Sequence, residues 1–173
     1  RSTRPSCANA ADDRVRRVVE ELTDVVTGWR STKVPGSGIG VALTFRDTGP
    51  GHTTVRATAH PSGVEIEMAV ADQGAGSYEV FRLFAAETLG IASGHVRVRA
   101  VSAGADPALV DGGAGASRVT AVAGQAVVEA CAELERRLGG RPDSPPDDWI
   151  LRRIAEQGGE AVKAEGTVAV GWR

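Results

Sequence analysis

The most informative part of this 173-residue chain is Asp111–Thr120, DGGAGASRVT, a glycine-rich loop that runs directly into a long alanine-rich helix. Small residues let such a loop adopt positive φ and approach a ligand closely. Ser117 and Arg118 stand where the helix is predicted to begin, and the first N–H groups of a helix lack intrahelical partners and carry the positive end of its dipole. The pattern therefore predicts an anion site, strengthened by the Ser117 hydroxyl and the Arg118 guanidinium. The alternative is that Ser117 only caps its own helix.

Another loop of the same kind, earlier in the chain, is Asp72–Ser77, DQGAGS, which follows a strand pattern and again ends in a serine that opens a helix. Two helix N-termini built in this way could surround one extended polar ligand. The alternative is that the glycines serve turn geometry alone. The two interpretations have equal weight on spacing alone.

The remaining periodicity predicts an α+β fold with a mixed, largely antiparallel sheet of about five strands and three to four helices packed on it. Alternation at 39–45, 53–60 and 64–70 predicts an antiparallel meander. Helical spacing, caps and glycine stops predict helices from Asp12 or Asp13 to near Gly28, at 77–89 and from Ser117 to about Leu138. A short helix capped by Asp147 or Asp148 and ended by Gly158-Gly159 is predicted as well. Further strands are predicted at 95–101 and 161–172. We expect residues 1–11 to form a loose tail and residues 12–173 to form a single domain.

The amino-acid composition limits the classes of protein to which this chain can belong. Hydrophobic residues make up 42% and charged residues 24%, typical of a soluble globular protein. Twenty Lys and Arg against 22 Asp and Glu give no basic footprint for nucleic acid. No apolar run is long enough to cross a bilayer, so we expect a cytoplasmic protein without membrane partners. The start at Arg1 rather than Met suggests a processed or excised piece of a longer product.

The two cysteines, Cys7 and Cys131, form neither a disulfide framework nor a metal motif. Cys131 falls within a predicted helix and is expected to be a small core residue. No protein metal ligand is predicted.

Several sequence blocks share their order and spacing with one protein family, the second molybdopterin-binding domain of xanthine dehydrogenases and aldehyde oxidoreductases, which the chain resembles from about Asp13 to Thr167. The blocks are Gly38–Ala42 (GIGVA), Asp72–Tyr78 (DQGAGSY), Ala85–Ile91 (AAETLGI), Gly115–Thr120 (GASRVT) and Gly124–Ala126 (GQA).

The resemblance implies a molybdenum hydroxylase of the xanthine dehydrogenase and aldehyde oxidase type. Its cofactor is a pyranopterin dithiolene, molybdopterin, in bacteria often in a cytosine dinucleotide form. By resemblance, Gly74, Ala75, Gly76 and Ser77 would approach the pterin. Gly115 and Ala116 would lie near the metal and substrate, Ser117 would receive the pterin phosphate beside Arg118, and Gln125 would support the ligand.

The chain departs from the family pattern at three points. Ala75 stands where the family usually has a glutamine that touches the cofactor, and Gln73 is the candidate to replace it. Val119 stands where the family often has Ser or Thr. The family's catalytic base, a glutamate in a Gly-x-Gly-Glu segment, is absent. We therefore assign no catalytic residue and expect the chain to be inactive as a hydroxylase by itself.

Three hypotheses follow. The chain is a component of a molybdenum hydroxylase that acts with other subunits or domains. Alternatively, it is a free-standing degenerate domain that uses the same cleft for another small molecule, with Asp72, Gln73, Asp111 and Arg118 as its polar groups. The third hypothesis is a purely structural module, for which an exposed apolar patch on the helix after Ser117 would be the sign.

Overall fold

The computed structural model describes residues 7–32, 35–40, 42, 49–102 and 104–171. The chain divides into two compact units, Arg1–Phe45 and Arg46–Arg173, and each is described by itself. Whether residues 12–173 form a single domain stays a prediction.

The first unit contains one long helix, α1, at Cys7–Thr32. The helix begins before the expected start at Asp12, so residues 7–11, expected to be loose, are helical. Their sequence, CANAA, is rich in alanine, whose high helix propensity extends a helix without a buried face. Apolar periodicity could not show this extension. Val18, Val19 and Val25 of this helix are exposed.

The second unit is an α+β fold, as predicted, with a mixed sheet of four strands rather than about five in its described part. The strands lie in the order β3-β2-β1-β4, with β2 antiparallel to β1, β1 antiparallel to β4, and β2 parallel to β3. The elements are β1 (Gly51–His60), β2 (Gly63–Met68), α2 (Ser77–Leu89), β3 (Val96–Ala100), α3 (Gly124–Arg137), α4 (Trp149–Glu156) and β4 (Val162–Val170). A π-helical turn at Val119–Ala123 precedes α3.

The meander prediction is correct for the β1–β2 hairpin and wrong for the other neighbour of β1. That side of β1 pairs with β4 along Gly51–Ala59. Of the predicted first strand at 39–45, Ile39, Gly40 and Ala42 are described and lie outside any strand; the rest falls outside the described residues. Local alternation predicts a strand but does not choose its partner, since pairing depends on contacts that are distant in sequence.

The core lies between one face of the sheet and the helices. Val55, Ala57 and Ile66 on that face are fully buried, as are Ala126 and Ala130 of α3. Small residues let these layers approach closely. A Cβ at Gly166 of β4 would overlap the α3 backbone at Ala126 and Ala130, and a Cβ at Gly124 would lie 2.7 Å from the Phe84 ring of α2. The start of α3 is therefore fixed against both the sheet and α2.

The predictions of α2 and α4 are confirmed, whereas the helix predicted from Ser117 begins as a π turn at Val119 and becomes α-helical at Gly124. Gly90 ends α2 in a left-handed conformation, and its N–H donates to carbonyls of the last turn. The buried Trp149 of α4 donates its indole N–H to the Leu89 carbonyl at 2.8 Å, which joins α4 to the end of α2. No helix in the described residues is long and apolar enough to cross a membrane.

Candidate functional site

The loop before α3 contains two consecutive non-glycine residues in the left-handed region. Ala116 has φ 49° and Ser117 has φ 55°. Each such residue costs on the order of 1 kcal/mol or more, and such strain clusters at functional sites. The π-helical turn at Val119–Ala123 follows at once, and π turns inside helices are also frequent at such sites. These two features of the backbone make the loop a candidate site.

The loop is held to β1 by Asp111. Its carboxylate accepts a hydrogen bond from the Thr53 hydroxyl at 2.9 Å and another from the Gly113 N–H at 2.7 Å. The N–H of Thr54 also donates to the Val110 carbonyl at 2.8 Å. The Asp111 side chain thus organises the loop itself.

Arg118 also holds the loop in place. Its Nε donates to the Gly113 carbonyl at 2.8 Å, Nη1 donates to the Pro50 carbonyl at 2.7 Å, and Nη2 donates to the Gly112 carbonyl. Gly51 leaves room for its stem, because a Cβ there would lie 2.8 Å from Arg118 Cδ. The guanidinium, predicted to strengthen an anion site, therefore directs donors from all three nitrogens to the chain's own carbonyls.

The helix after this loop begins without a side-chain cap in the described structure. Its N-cap residue is Arg118, whose N–H donates to the Gly115 carbonyl at 3.1 Å. Ser117 is exposed, and its hydroxyl has no partner within the described residues. The alternative in which Ser117 only caps its own helix is therefore wrong, and no serine oxygen occupies the first N–H groups of the turn.

In chain order the first loop is Asp72–Ser77 and the second loop is Asp111–Thr120. Asp72 and Tyr78 organise the first loop. Asp72 Oδ1 accepts bonds from the Ala75 N–H and the Ser77 hydroxyl, both at 3.1 Å. The Tyr78 hydroxyl donates to the Val70 carbonyl at 2.9 Å and accepts from the Asp72 N–H at 3.3 Å. The helix α2 then begins at Ser77, and its N-cap residue, Gly76, has φ 73° and provides no side-chain cap. Ser77 is buried and engaged with its own loop.

One cavity of about 360 Å³ brings the two loops together. It is lined by Gln73 from the first loop and by residues of the second, which are Ala114, Gly115, Ala116, Ser117, Val119 and Thr120. Its volume is at the low end for small-molecule sites. Of the ten predicted site residues, this cavity therefore gathers Gln73, Gly115, Ala116 and Ser117.

The other predicted site residues lie outside this cavity. Gln125 lines a neighbouring cleft of about 570 Å³ between α2 and α3, and Thr120 lines both cavities. Gly74, Ala75, Gly76 and Ser77 form the turn beside Gln73, and Arg118 lies behind the second loop. Gln73 and Gln125 have no side-chain partner within the described residues, so their amides are available to a ligand.

The two departures from the family pattern are visible in the site. Ala75 is exposed and uses its N–H on Asp72. Val119 lines the cavity and also packs against the hydrophobic core. An apolar, half-buried residue therefore stands where a hydroxyl is expected.

The site offers no metal ligands and no evident base. In the described residues no group of three or more His, Cys, Asp or Glu side chains could hold a metal ion. Asp72 and Asp111, considered as polar groups of an alternative site, are both engaged in loop hydrogen bonds. The cavity-lining residues are neutral, and the arrangement can bind and orient a group rather than transfer its protons.

The sequence interpretation missed Thr53, Tyr78 and Gly49 as supports of the site. Thr53 and Gly49 contact the loop across more than fifty residues of sequence, and no local pattern indicates such contacts. The Asp72-x-x-x-x-x-Tyr78 spacing could have suggested the Tyr78 contact only after the turn geometry was known.

The fold and site define a domain with a strained, uncapped loop–helix junction at the surface of a cavity. A family model described as a molybdopterin cofactor-binding domain matches residues 16–152. The chain belongs to this family. No curated protein sequence matches it significantly.

Several solved structures share this fold. Aldehyde oxidoreductase from Desulfovibrio desulfuricans ATCC 27774 aligns with 91% of this chain at 19% identity and a TM-score of 0.54. Quinoline 2-oxidoreductase from Pseudomonas putida 86 aligns with 69% at 19% identity and a TM-score of 0.51. A Cu,Mo-CO dehydrogenase aligns with 98% at 16% identity and a TM-score of 0.51.

The chain spans only a small part of these structures, covering 19% of the quinoline oxidoreductase chain, 17% of the aldehyde oxidoreductase chain and 26% of the CO dehydrogenase chain. At these identities the likeness concerns the fold.

Proposed function

We propose that this chain contributes one half of the molybdopterin cradle of a molybdenum hydroxylase and needs partner domains or subunits for C–H hydroxylation. The observation that carries the proposal is the shared cavity, in which Gln73 faces Ala114–Thr120 at an uncapped helix start. The family match supports molybdopterin as the ligand.

The residues of the cavity suit a phosphate-bearing cofactor. The first N–H groups of a helix lack intrahelical partners and lie at the positive end of its dipole, and the π turn begins at residues that line this cavity. The exposed Ser117 hydroxyl can donate to the same anion. The left-handed conformation of Ala116 and Ser117 keeps the loop backbone on the cavity surface. Ser117 would hold the phosphate, and Gly115 and Ala116 would contact the cofactor through backbone.

Gln73 is the proposed replacement for the family's missing glutamine at Ala75. Its amide is free of partners in the described structure and lines the cavity, whereas Ala75 carries no group that could reach the cofactor. Gly74, Ala75, Gly76 and Ser77 would support Gln73 as a turn fixed by Asp72. Gln125 would contact the ligand from the adjoining cleft. Arg118 would act as a positioning residue, because its donors hold Gly112, Gly113 and Pro50.

The need for partners follows from the size and chemistry of the site. When bound, molybdopterin supplies the metal at which a water-derived oxygen is transferred to a C–H bond. The cavity of about 360 Å³ lies at the low end for small-molecule sites, and its lining offers no carboxylate or imidazole that could accept a proton. The base and the rest of the enclosure would come from other domains.

A second candidate function is favoured by Ala75 and Val119. A free-standing domain that has lost molybdopterin would use the same junction to bind another phosphate-bearing small molecule. The apolar Val119 in the cavity favours this alternative, because it removes a hydroxyl from the ligand side. A purely structural role has no comparable support, since no large hydrophobic residue of α3 is exposed in the described structure.

The experiment is to purify the chain with its native partners and to measure molybdenum by mass spectrometry and oxidised pterin by fluorescence. Both are expected in stoichiometric amounts. If both are absent while partner chains are present, the molybdenum hydroxylase assignment fails. Inorganic pyrophosphate is then titrated into the 173-residue chain by NMR, where shifts of the 115–120 amides would support the alternative.

Matched variants separate ligand contact from folding. Ser117→Ala should weaken pyrophosphate binding by at least about tenfold, the effect of one hydrogen bond to a charged group. Ser62→Ala changes an exposed serine in the β1–β2 turn and should leave binding unchanged. Equal binding by wild type and Ser117→Ala would remove Ser117 from the site.

A further inference from the structure

The sheet has an open edge at β4. This strand pairs with β1 along Gly51–Ala59, and no strand pairs with its other side within the described part of the chain. A groove of about 760 Å³ follows this edge, with the consecutive residues 163–167 as its floor and Glu129, Glu133 and Arg136 of α3 on its wall. A nine-residue edge strand with unpaired backbone groups is a template for another strand.

The outward-facing backbone groups of the edge can be identified. Arg137 Nη1 donates to the Lys163 carbonyl at 2.5 Å from the α3 side of the groove, so this carbonyl is accessible away from β1. Because backbone groups alternate along a strand, those of Glu165 and Thr167 face the same way. A strand added here would therefore pair with residues 163, 165 and 167.

The side chains at this edge are self-complementary. Lys163 and Glu165 are two residues apart and lie on the same face of the sheet, and both are exposed. In an antiparallel pairing of two copies about Ala164, residue 163 of one chain lies opposite residue 165 of the other. A two-fold axis repeats this opposite-charge pair, so both lysines meet glutamates.

The intramolecular contacts of the two residues leave this pairing possible. Glu165 accepts both bonds from Arg56 on the single oxygen Oε1, at 2.9 and 2.8 Å, so its other oxygen can accept a further cation. Lys163 has no ion pair among the described residues. Among the described residues, Arg137 obstructs the edge, because Glu133 holds it there through a 2.7 Å contact.

We propose that the β4 edge is a homodimer interface, in which two copies of this chain join antiparallel about Ala164 and extend the sheet across the two-fold axis. The observations favour a second copy over an unrelated strand, because register, outward backbone groups and charge order agree in a self-pairing. The Arg137 side chain must leave the Lys163 carbonyl when the dimer forms, because the added strand needs this acceptor.

The test is sedimentation of the 173-residue chain over a range of concentrations, for which a monomer–dimer equilibrium is expected. Lys163→Glu places two Glu–Glu pairs in the interface and should raise the dissociation constant at least about tenfold. Glu165→Lys should do the same with two Lys–Lys pairs. An equimolar mixture of the two variants should regain dimers. In the mixed dimer the two substituted residues lie opposite each other with opposite charges, and the native Lys163 of one chain meets the native Glu165 of the other.

Arg137→Ala provides an independent test with a matched control. It should lower the dissociation constant by freeing the Lys163 carbonyl, whereas Arg136→Ala, which also loses a contact to Glu133 but none to β4, should not. A chain that stays monomeric at every concentration overturns the proposal. So does a Lys163→Glu variant that dimerises like the wild type; this variant breaks no ion pair, so the test does not depend on the stability of Glu165→Lys.

Discussion

Gly49 and Ala116 are in direct contact across the base of the second loop. The N–H of Gly49 donates to the Ala116 carbonyl at 2.9 Å, and a Cβ at Gly49 would lie 2.5 Å from the Cβ of Ala116. Gly49 is buried. The strained residue at the proposed cofactor site is therefore held by a backbone contact that only glycine allows.

Replacing Gly49 by alanine should disturb the site and the fold together. The added methyl group meets a short side chain on a backbone already fixed at positive φ, so neither partner can turn aside. We expect a loss of about 1–3 kcal/mol in the free energy of unfolding, the usual cost of overpacking. Urea denaturation followed by circular dichroism would measure it, with NMR shifts of the 115–120 amides as the local readout.

The matched control is Gly94→Ala, where an added Cβ would meet nothing within 4 Å. This variant should change the free energy of unfolding by no more than about 0.5 kcal/mol. A Gly49→Ala variant as stable as Gly94→Ala, with unshifted loop amides, would contradict the role given to the contact.

Replacing Arg118 should loosen the loop without removing a ligand contact. Arg118→Ala deprives three partly exposed carbonyls of their donors, and water can replace some of these bonds, so we expect a loss of about 1–2 kcal/mol. Hydrogen exchange at Gly112 to Ser117 should become faster. Arg97→Ala, which removes an exposed arginine from β3, should alter neither quantity.

Pyrophosphate binding shows whether Arg118 positions the loop or contacts the anion directly. A positioning residue should be partly replaceable by lysine, which keeps a donor for one carbonyl but places its charge no closer to the cavity. If Arg118→Ala abolishes pyrophosphate binding while loop exchange stays at the wild-type rate, the side chain contacts the anion directly and the positioning role is wrong.

The sequence predicts local structure well because local structure depends on nearby residues. The stop at Gly90 and the helix that begins at Trp149 follow from glycine geometry and apolar spacing. The β1–β2 hairpin follows from alternation around a short turn. The pairing of β1 with β4 joins residues more than a hundred positions apart, and no period in the sequence indicates it.

The same distinction applies to the candidate site. The glycine-rich loops and the helix start were predictable, and they do meet at a cavity containing Gln73 and Ser117. The role of Arg118 was not predictable, because its guanidinium turns back to Pro50, a residue 68 positions away. From the sequence, an arginine beside a helix start predicts a contact with an anion. The partner that it actually binds depends on how the whole loop packs.

The ion pair between Arg56 and Asp106 should make stability depend on pH in the acid range. The Arg56 guanidinium donates to Asp106 at 2.7 Å and, with the Ala108 N–H and the Lys163 charge as smaller causes, holds the pKa of that carboxyl below its ordinary value. Because the folded pKa lies below the unfolded one, the stabilisation is present above about pH 4 and is lost as the pH falls through the folded pKa.

Asp106→Asn should therefore melt at a lower temperature than the wild type near neutral pH, and the difference should close toward about pH 2. Thermal melting across this range would measure the convergence. Asp143→Asn, an exposed carboxylate outside any ion pair in the described structure, should show no such trend. A constant offset between the Asp106 variant and the wild type at every pH would exclude titration of this carboxyl as the cause.

The thiol of Cys131 should report whether α3 stays packed on the sheet. Cys131 is fully buried, and burial raises the pKa of its thiol to about 12. In a Cys7→Ser background, which removes the other thiol, an aromatic disulfide reagent at about pH 8 should therefore label the chain only as fast as it unfolds, because the reactive thiolate is both scarce and shielded. Urea should accelerate the labelling in parallel with global unfolding.

Rapid labelling without denaturant would mean that α3 separates from the sheet in the native state. The helix start that forms the proposed cradle would then not be rigid, because the turn that contains Thr120 and follows Ser117 continues directly into α3, the helix that contains Cys131.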